Sequence, residues 1–322
     1  MNPGARTAVP AQSPIMFRDS TLREGLDVPG VTYTLPVRLQ LATLLDALGV
    51  AEIEIVAPGK VKEDLAFAGK LKELALTVRT SGLIYAMSPA LSAEIAGAAA
   101  CLDHVDLLIS LSPRRKPYDS AEKRQRLLAA LDAAADKLPG LGVGFPNATQ
   151  SDPALLLDMA GRAVERGATR ITLYDTNGSA DPFGVFDLVQ GIRSQIAVPI
   201  FFHGHNDLGM VTANSLAAVM AGASGIDTTV NGLGDRAGNC PLEPLAVALA
   251  LRGIATGIVL ERLPSIARVV AEKSGIPISP LAPVVGALVF SHKSPGHLEV
   301  PELFEAFDPA LVGAQRQLID NG

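Results

Sequence analysis

The sequence predicts an α/β fold, a (β/α)8 TIM barrel followed by a short, mainly helical C-terminal extension. Short apolar runs alternate eight times with amphipathic stretches, the pattern of parallel strands joined by crossover helices. These eight units occupy about 240 residues, matching one closed barrel in count and length. A doubly wound open sheet would instead carry a Gly-rich phosphate turn after its first strand, and the chain has none there.

Strands are expected at 15–20, 52–57, 78–86, 104–111, 140–145, 169–175, 198–203 and 226–231, where β-branched and aliphatic residues run together. Helical periodicity follows each, at 37–49, 62–75, 88–101, 120–138, 152–166, 181–195, 210–222 and 241–252. The barrel therefore spans 15–254. Residues 1–14, rich in Pro, Ala and Gly, have no periodicity and read as a mobile leader. Beyond Gly253 the pattern changes to a helix near 260–273, a Pro-rich passage and a short ending. The extension at 255–322 is too small for its own core, so it should pack on the barrel or on a partner subunit. Its apolar positions Leu288, Val289, Phe290, Leu303, Phe304 and Phe307 need such cover.

Composition narrows the functional classes. Of 322 residues, 48% are hydrophobic and none is Trp, which fits aliphatic layers around a barrel core. Lys and Arg number 27 against 33 Asp and Glu, a net charge of −6 without any long basic block, so nucleic acid is excluded as a partner class. Arg114, Arg115 and Lys116 form the one dense basic cluster, suited to an anionic small molecule or to simple solvation. The two cysteines lie far apart, and neither a signal peptide nor a membrane span is evident. A cytoplasmic location follows, with no disulfide framework and no membrane partner.

In a TIM barrel, chemistry belongs at the C-terminal strand ends. Four such ends are polar: Arg18 to Gly25, Tyr174 to Gly178, His203 to Asp207 and Asn231 to Asn239. Side chains alternate along a strand, so His203 and His205 point the same way and both imidazoles can reach one ion. Two of only five histidines stand at this one strand end, which favours a metal site over two surface residues. A carboxylate after strand one and an amide oxygen after strand eight are across-the-seam neighbours of strand seven. Mixed imidazole and oxygen ligation suits Zn, Mn, Co or Fe, and Mg less naturally.

The segments DSTLREG (19–25), HGHND (203–207) with its continuation LGMVTANSLAAVMAGA, and NGLGDRAGNCPLE (231–243) resemble the signature motifs of the isopropylmalate, homocitrate and citramalate synthases of the DRE-TIM metallolyase superfamily. FSHKSPGH (290–297) and FEAFDPALVG (304–313) resemble the synthases' post-barrel region. The resemblance implies that Glu24, His203, His205 and Asn239 ligate a divalent metal and that Arg23 stabilises the oxygen that becomes negative. Thr176 would bind the carboxylate of a 2-oxo acid, with Asp27, Ser112 and Arg115 at substrate-pocket positions. Asp19 would orient Arg23 or a ligand, or serve as an ordinary strand-end cap. His297 would supply acid–base chemistry from the post-barrel segment, typically to the partner subunit of a homodimer. The implied reaction is a Claisen condensation of acetyl-CoA, as co-substrate, with the 2-oxo acid. The same metal and arginine would equally serve a lyase or aldolase that cleaves a hydroxy acid, and a non-catalytic barrel is the third reading. Several pocket positions depart from the synthase pattern: Leu26-Asp27 stand for Glu-Gln, Pro146-Asn147-Ala148-Thr149-Gln150 for an acidic pair with Arg, Ser112-Pro113-Arg114-Arg115 for Ser-Asp-x-His, and Phe304 for a tyrosine.

Overall fold

A computed structural model describes residues 13–114 and 120–319. Most of the expected leader and Arg115 and Lys116 of the basic cluster lie outside the described residues.

Eight parallel strands close on themselves in the order β1 to β8: Met16–Asp19, Glu52–Val56, Arg79–Tyr85, His104–Leu108, Leu141–Phe145, Arg170–Asp175, Ile200–Gly204 and Gly225–Thr228. Closure is made by β1 and β8, with Arg18 in register with Asp227 on one side and with Glu52 of β2 on the other. Eight helices cover the barrel: α1 (Leu35–Leu48), α2 (Val61–Lys72), α3 (Leu91–Cys101), α4 (Ser120–Ala134), α5 (Pro153–Glu165), α6 (Pro182–Arg193), α7 (Val211–Met220) and α8 (Leu242–Leu251). After them come α9 (Leu263–Ser274) and the short α10 (Pro295–Glu299).

Local chemistry sets the element ends. Before α5 and α6, Asp152 and Asp181 accept the N–H groups of Ala154 and of Phe183 and Gly184, and each is followed by a proline in the first turn. Leu156, Met159, Ala160 and Ala163 then form the single buried stripe of α5. Helix α1 stops at Gly49, whose left-handed backbone (φ 92°) returns its N–H to Asp46 and Leu45. Strand β7 starts at Ile200 rather than at 198 because Pro199 has no N–H for the ladder, although its carbonyl accepts from Ile171. Strand β8 ends at Thr228, short of the expected 231, since Asn231 (φ 59°) and Gly232 (φ 68°) turn the chain back over the barrel mouth.

The extension divides. Helix α9 buries Leu263, Ile266, Ala267 and Val270 against the barrel, and Asn231 donates from its side chain to the Ala267 carbonyl. Phe290 joins the same core and meets Phe307 edge-on at 5.5 Å, with Val289 packed alongside. Cover for these three comes from their own chain. Leu288, Leu303 and Phe304 stay exposed, at 49, 75 and 52%.

Between β8 and α8, the Glu243 carboxyl is fully buried and accepts the Asn231 N–H at 2.9 Å. Burial, against that hydrogen bond, raises it to about 7. The folded chain thus keeps a proton that the unfolded chain releases above its ordinary value of 4.5, so stability falls as pH rises from there to about 7 and then levels. We expect Glu243→Gln, which keeps the acceptor and removes the ionisation, to lose less stability between pH 5 and pH 8 than the wild type, by on the order of 2 kcal/mol in urea unfolding. An identical fall in both proteins would place the pH dependence elsewhere, with Asp19 the alternative source.

Candidate active site

Three side chains converge at the C-terminal mouth of the barrel. His203 is the last residue but one of β7, His205 follows the strand and Glu24 leaves the turn after β1; one ligand atom from each lies within 4.8 Å of the others, and all three are buried. His203 Nε2 sits 3.3 Å from His205 Nε2 and 3.5 Å from Glu24 Oε1. An isolated antiparallel bridge between His205 and Asn239 brings the fourth expected residue in, its side-chain nitrogen 3.2 Å from His203 Nε2. Gly234 is required beneath it: a Cβ there would stand 1.9 Å from Asn239 Oδ1.

Electrostatics prepare this cluster for a cation. Burial pushes the Glu24 carboxyl up, but the Arg23 guanidinium, aided by His203 and His205, outweighs it and holds it at about 2. Burial, then His203, brings His205 down to about 3, leaving a neutral imidazole. His203 Nδ1 faces Asp227 Oδ2 at 2.9 Å, which assigns the N–H to that side and a lone pair to Nε2. Among the described residues Glu24 Oε2, Asn239 Oδ1 and His205 Nδ1 are buried without a hydrogen-bond partner. In the surrounding network the buried carboxylates Glu24, Glu52, Glu54, Asp106 and Asp227 outnumber the buried guanidiniums Arg18, Arg23 and Arg170, with the half-exposed Arg79 reaching Glu52 at 3.5 Å. Imidazole nitrogens and a carboxylate oxygen crowded together, in surroundings where carboxylates outnumber guanidiniums, are what a divalent ion would satisfy.

A cavity of about 850 Å³ opens over the cluster, lined by Arg23, Glu24, Asp27, Tyr174, Thr176, His203, His205 and Asp235 among others. Arg23 is held from beneath by Glu54, which its Nε contacts closely, and from the side by Glu24, while its Nη2 has no partner. Thr176 Oγ1 accepts the Asn147 N–H at 2.8 Å, leaving its own hydrogen to donate. Asn147 itself takes a left-handed conformation (φ 57°) and accepts from Ser110, so the β4, β5 and β6 ends are tied together where the synthase acidic pair is absent. Asp27 stands at the rim beside Lys60, 3.2 Å away.

Other expected residues lie elsewhere. Ser112 is buried but turned into its own loop, accepting the Arg114 N–H and, through its carbonyl, Lys123 Nζ; it is not among the residues that line the cavity. Among the described residues Asp19 forms neither a hydrogen bond nor an ion pair with Arg23. Its Oδ1 accepts the Thr21 N–H, the strand-end cap. His297 is absent from the cavity wall of its own chain; it stacks on Phe304 at 3.7 Å and faces His292 Nδ1 at 3.2 Å, while His292 Nε2 faces Glu305 at 3.0 Å.

Sequence reasoning missed Glu54 and Asp227 and named Tyr174 only as the start of a polar strand end, with no role. The first two had a signal: a charged residue at an inward position of an otherwise apolar strand, as in Glu-Ile-Glu-Ile-Val. Tyr174 is buried with its hydroxyl unpartnered at the cavity wall.

A closed barrel with a buried His-His-Glu cluster at its C-terminal mouth, an arginine beside it and a cavity above defines a TIM-barrel enzyme site of the metal-assisted type. The model of the HMGL-like family matches residues 14–270, and the chain belongs to that family. It is 34% identical over 315 residues to homocitrate synthase 1 of Nostoc sp., covering 95% of this chain and 82% of that protein. To homocitrate synthase of Frankia alni it is 36% identical over 324 residues, covering 97% and 91%. It is 34% identical to 2-isopropylmalate synthase 2 of Caldanaerobacter subterraneus, covering 95% and 81%. Among solved structures, HMG-CoA lyase of Brucella melitensis superposes with a TM-score of 0.70 at 20% identity, covering 82% of this chain and all of the lyase, a likeness of fold.

Proposed function

We propose that this protein is a divalent-metal-dependent acyltransferase that condenses acetyl-CoA with a 2-oxo acid to give a 2-hydroxy di- or tricarboxylate, acting as a cytoplasmic homodimer. The convergence of Glu24, His203, His205 and Asn239 beside Arg23 carries the reading. Homocitrate and 2-isopropylmalate synthase relatives at 34 to 36% identity align over 95 to 97% of the chain, and this supports condensation. Among the described residues no helix is long and apolar enough to cross a membrane.

Glu24, His203, His205 and Asn239 would hold the ion, which, when bound, polarises the keto group of the 2-oxo acid as a Lewis acid. The hydroxyl of Thr176, whose oxygen accepts the Asn147 N–H, would donate to the 2-oxo acid carboxylate. Arg23 offers Nη2 to the oxygen on which charge develops, its other nitrogens being fixed on Glu54 and Glu24. A base then takes a proton from the acetyl methyl group, the new carbanion attacks the keto carbon as its C=O π bond breaks onto oxygen, and that oxygen takes the proton back from the base to become a hydroxyl. Water cleaves the thioester, releasing the CoA thiol and a carboxylate.

His297 is the base in this proposal, delivered by the partner's extension. Glu305, held at about 2 chiefly by its hydrogen bond to Arg316, faces His292, and His292 in turn faces His297 Nδ1. This chain of contacts leaves His297 Nε2 as the lone-pair nitrogen. The exposed Leu288, Leu303 and Phe304 on the same segment supply the apolar contact.

Incubating the metal-loaded protein with acetyl-CoA and a panel of 2-oxo acids should release free thiol with at least one of them, and His205→Ala should abolish both release and bound metal. No thiol from any 2-oxo acid, with cleavage of a hydroxy acid instead, would overturn condensation. Co-expressing His205→Ala and His297→Ala chains should restore roughly a quarter of wild-type activity, since half the dimers are mixed and each has one complete site. Mixed dimers without activity would confine His297 to its own subunit or to no role.

A further inference from the structure

Below the metal-type cluster lies a fully buried guanidinium that the reaction as derived does not use. Arg18, at the middle of β1, has no solvent exposure. Its Nε and Nη2 grip both oxygens of Asp227 at 2.7 and 2.6 Å, and its Nη1 reaches Asp106 at 2.8 Å and Glu54 Oε1 at 3.5 Å. The ring of Phe201 lies 5.4 Å from the guanidinium carbon. Two of these carboxylates lead upward to different parts of the site. Asp227 Oδ2 contacts His203 Nδ1 at 2.9 Å, and Glu54 Oε2 contacts Arg23 Nε and, at 2.8 Å, the Ser20 hydroxyl.

We infer that Arg18 is a positioning residue that anchors both halves of the site at once, fixing the metal-facing nitrogen of His203 through Asp227 and the oxyanion-facing nitrogen of Arg23 through Glu54. The bidentate grip leaves Asp227 no freedom to rotate, so Oδ2 is always presented to His203 and the imidazole keeps its N–H on Nδ1 and its lone pair on Nε2. Among the described residues Glu54 Oε1 has no hydrogen-bond partner and lies 3.5 Å from Arg18 Nη1; that attraction fixes the carboxylate and keeps Oε2 engaged with Arg23. Lysine could neutralise one neighbour but could not copy a planar fork that serves three carboxylates.

The inference rests on the metal-dependent reading of the site, and its test separates the two. Zn2+ affinity is measured by competition with a chromophoric chelator, the imidazole tautomer of metal-free protein by 15N NMR, and turnover by thiol release, with folding checked by circular dichroism. Asp227→Asn should weaken Zn2+ binding about 10- to 100-fold and mix the His203 tautomers. Glu54→Gln should leave Zn2+ affinity within about twofold and lower kcat by about tenfold or more. Arg18→Lys should do both. A folded Arg18→Lys protein with wild-type Zn2+ affinity, tautomer and kcat would overturn the anchor, whereas a wild type that takes up no Zn2+ would overturn the metal-dependent reading itself. Should Arg18→Lys not fold, the Asp227→Asn/Glu54→Gln double variant decides: losses in kcat that are smaller together than their product support a shared anchor, and strictly multiplicative losses refute it.

Discussion

A guanidinium sealed inside a protein is tolerable only where its charge and its hydrogen bonds are matched, and Arg18 is matched at the seam that closes the barrel. Its partner Asp227 lies on β8, so the last strand meets the first through a charge pair as well as through backbone ladder bonds. From that pair the polar interior extends downward through Asp106 to Arg170 and Glu52, and upward to the residues at the mouth. Aliphatic residues fill the space between strands and helices, and ionic groups fill much of the space within the strands. The barrel core and the site are thus one connected structure.

The order of the eight units was legible because parallel strands buried on both faces read as continuous apolar runs and the helices between them as amphipathic ones. Boundaries slipped where a single residue overruled the pattern, as at Pro199, whose missing N–H delays β7, and at Asn231, whose left-handed backbone ends β8 early. His203 and His205 were legible through rarity and period-two spacing. Glu54 and Asp227 were not, since a carboxylate in a strand reads equally as an outward, solvated residue, and only closure of the barrel shows that inward means surrounded by arginines. Asp19 reads as an orienting residue from its motif and proves to cap a turn, because its carboxylate closes on its own backbone two residues on. Ser112 faces its own loop for a similar reason.

The extension shows a different limit. Phe290 and Phe307 find cover on their own barrel, while Leu303 and Phe304 do not. Periodicity cannot separate the two outcomes, because a buried face looks the same in sequence whether the cover comes from the same chain or another. The stacked His297 and Phe304 rings lie at this boundary, with one imidazole nitrogen committed to His292.

The excess of carboxylates over guanidiniums in the buried network bears on which ions the site can retain. A cation relieves that excess in a medium that screens poorly, and an anion would add to it. The sign of the charge the site accepts is thereby set along the whole barrel axis, down to Arg170 near its far end, before ligand geometry begins to choose among the metal ions.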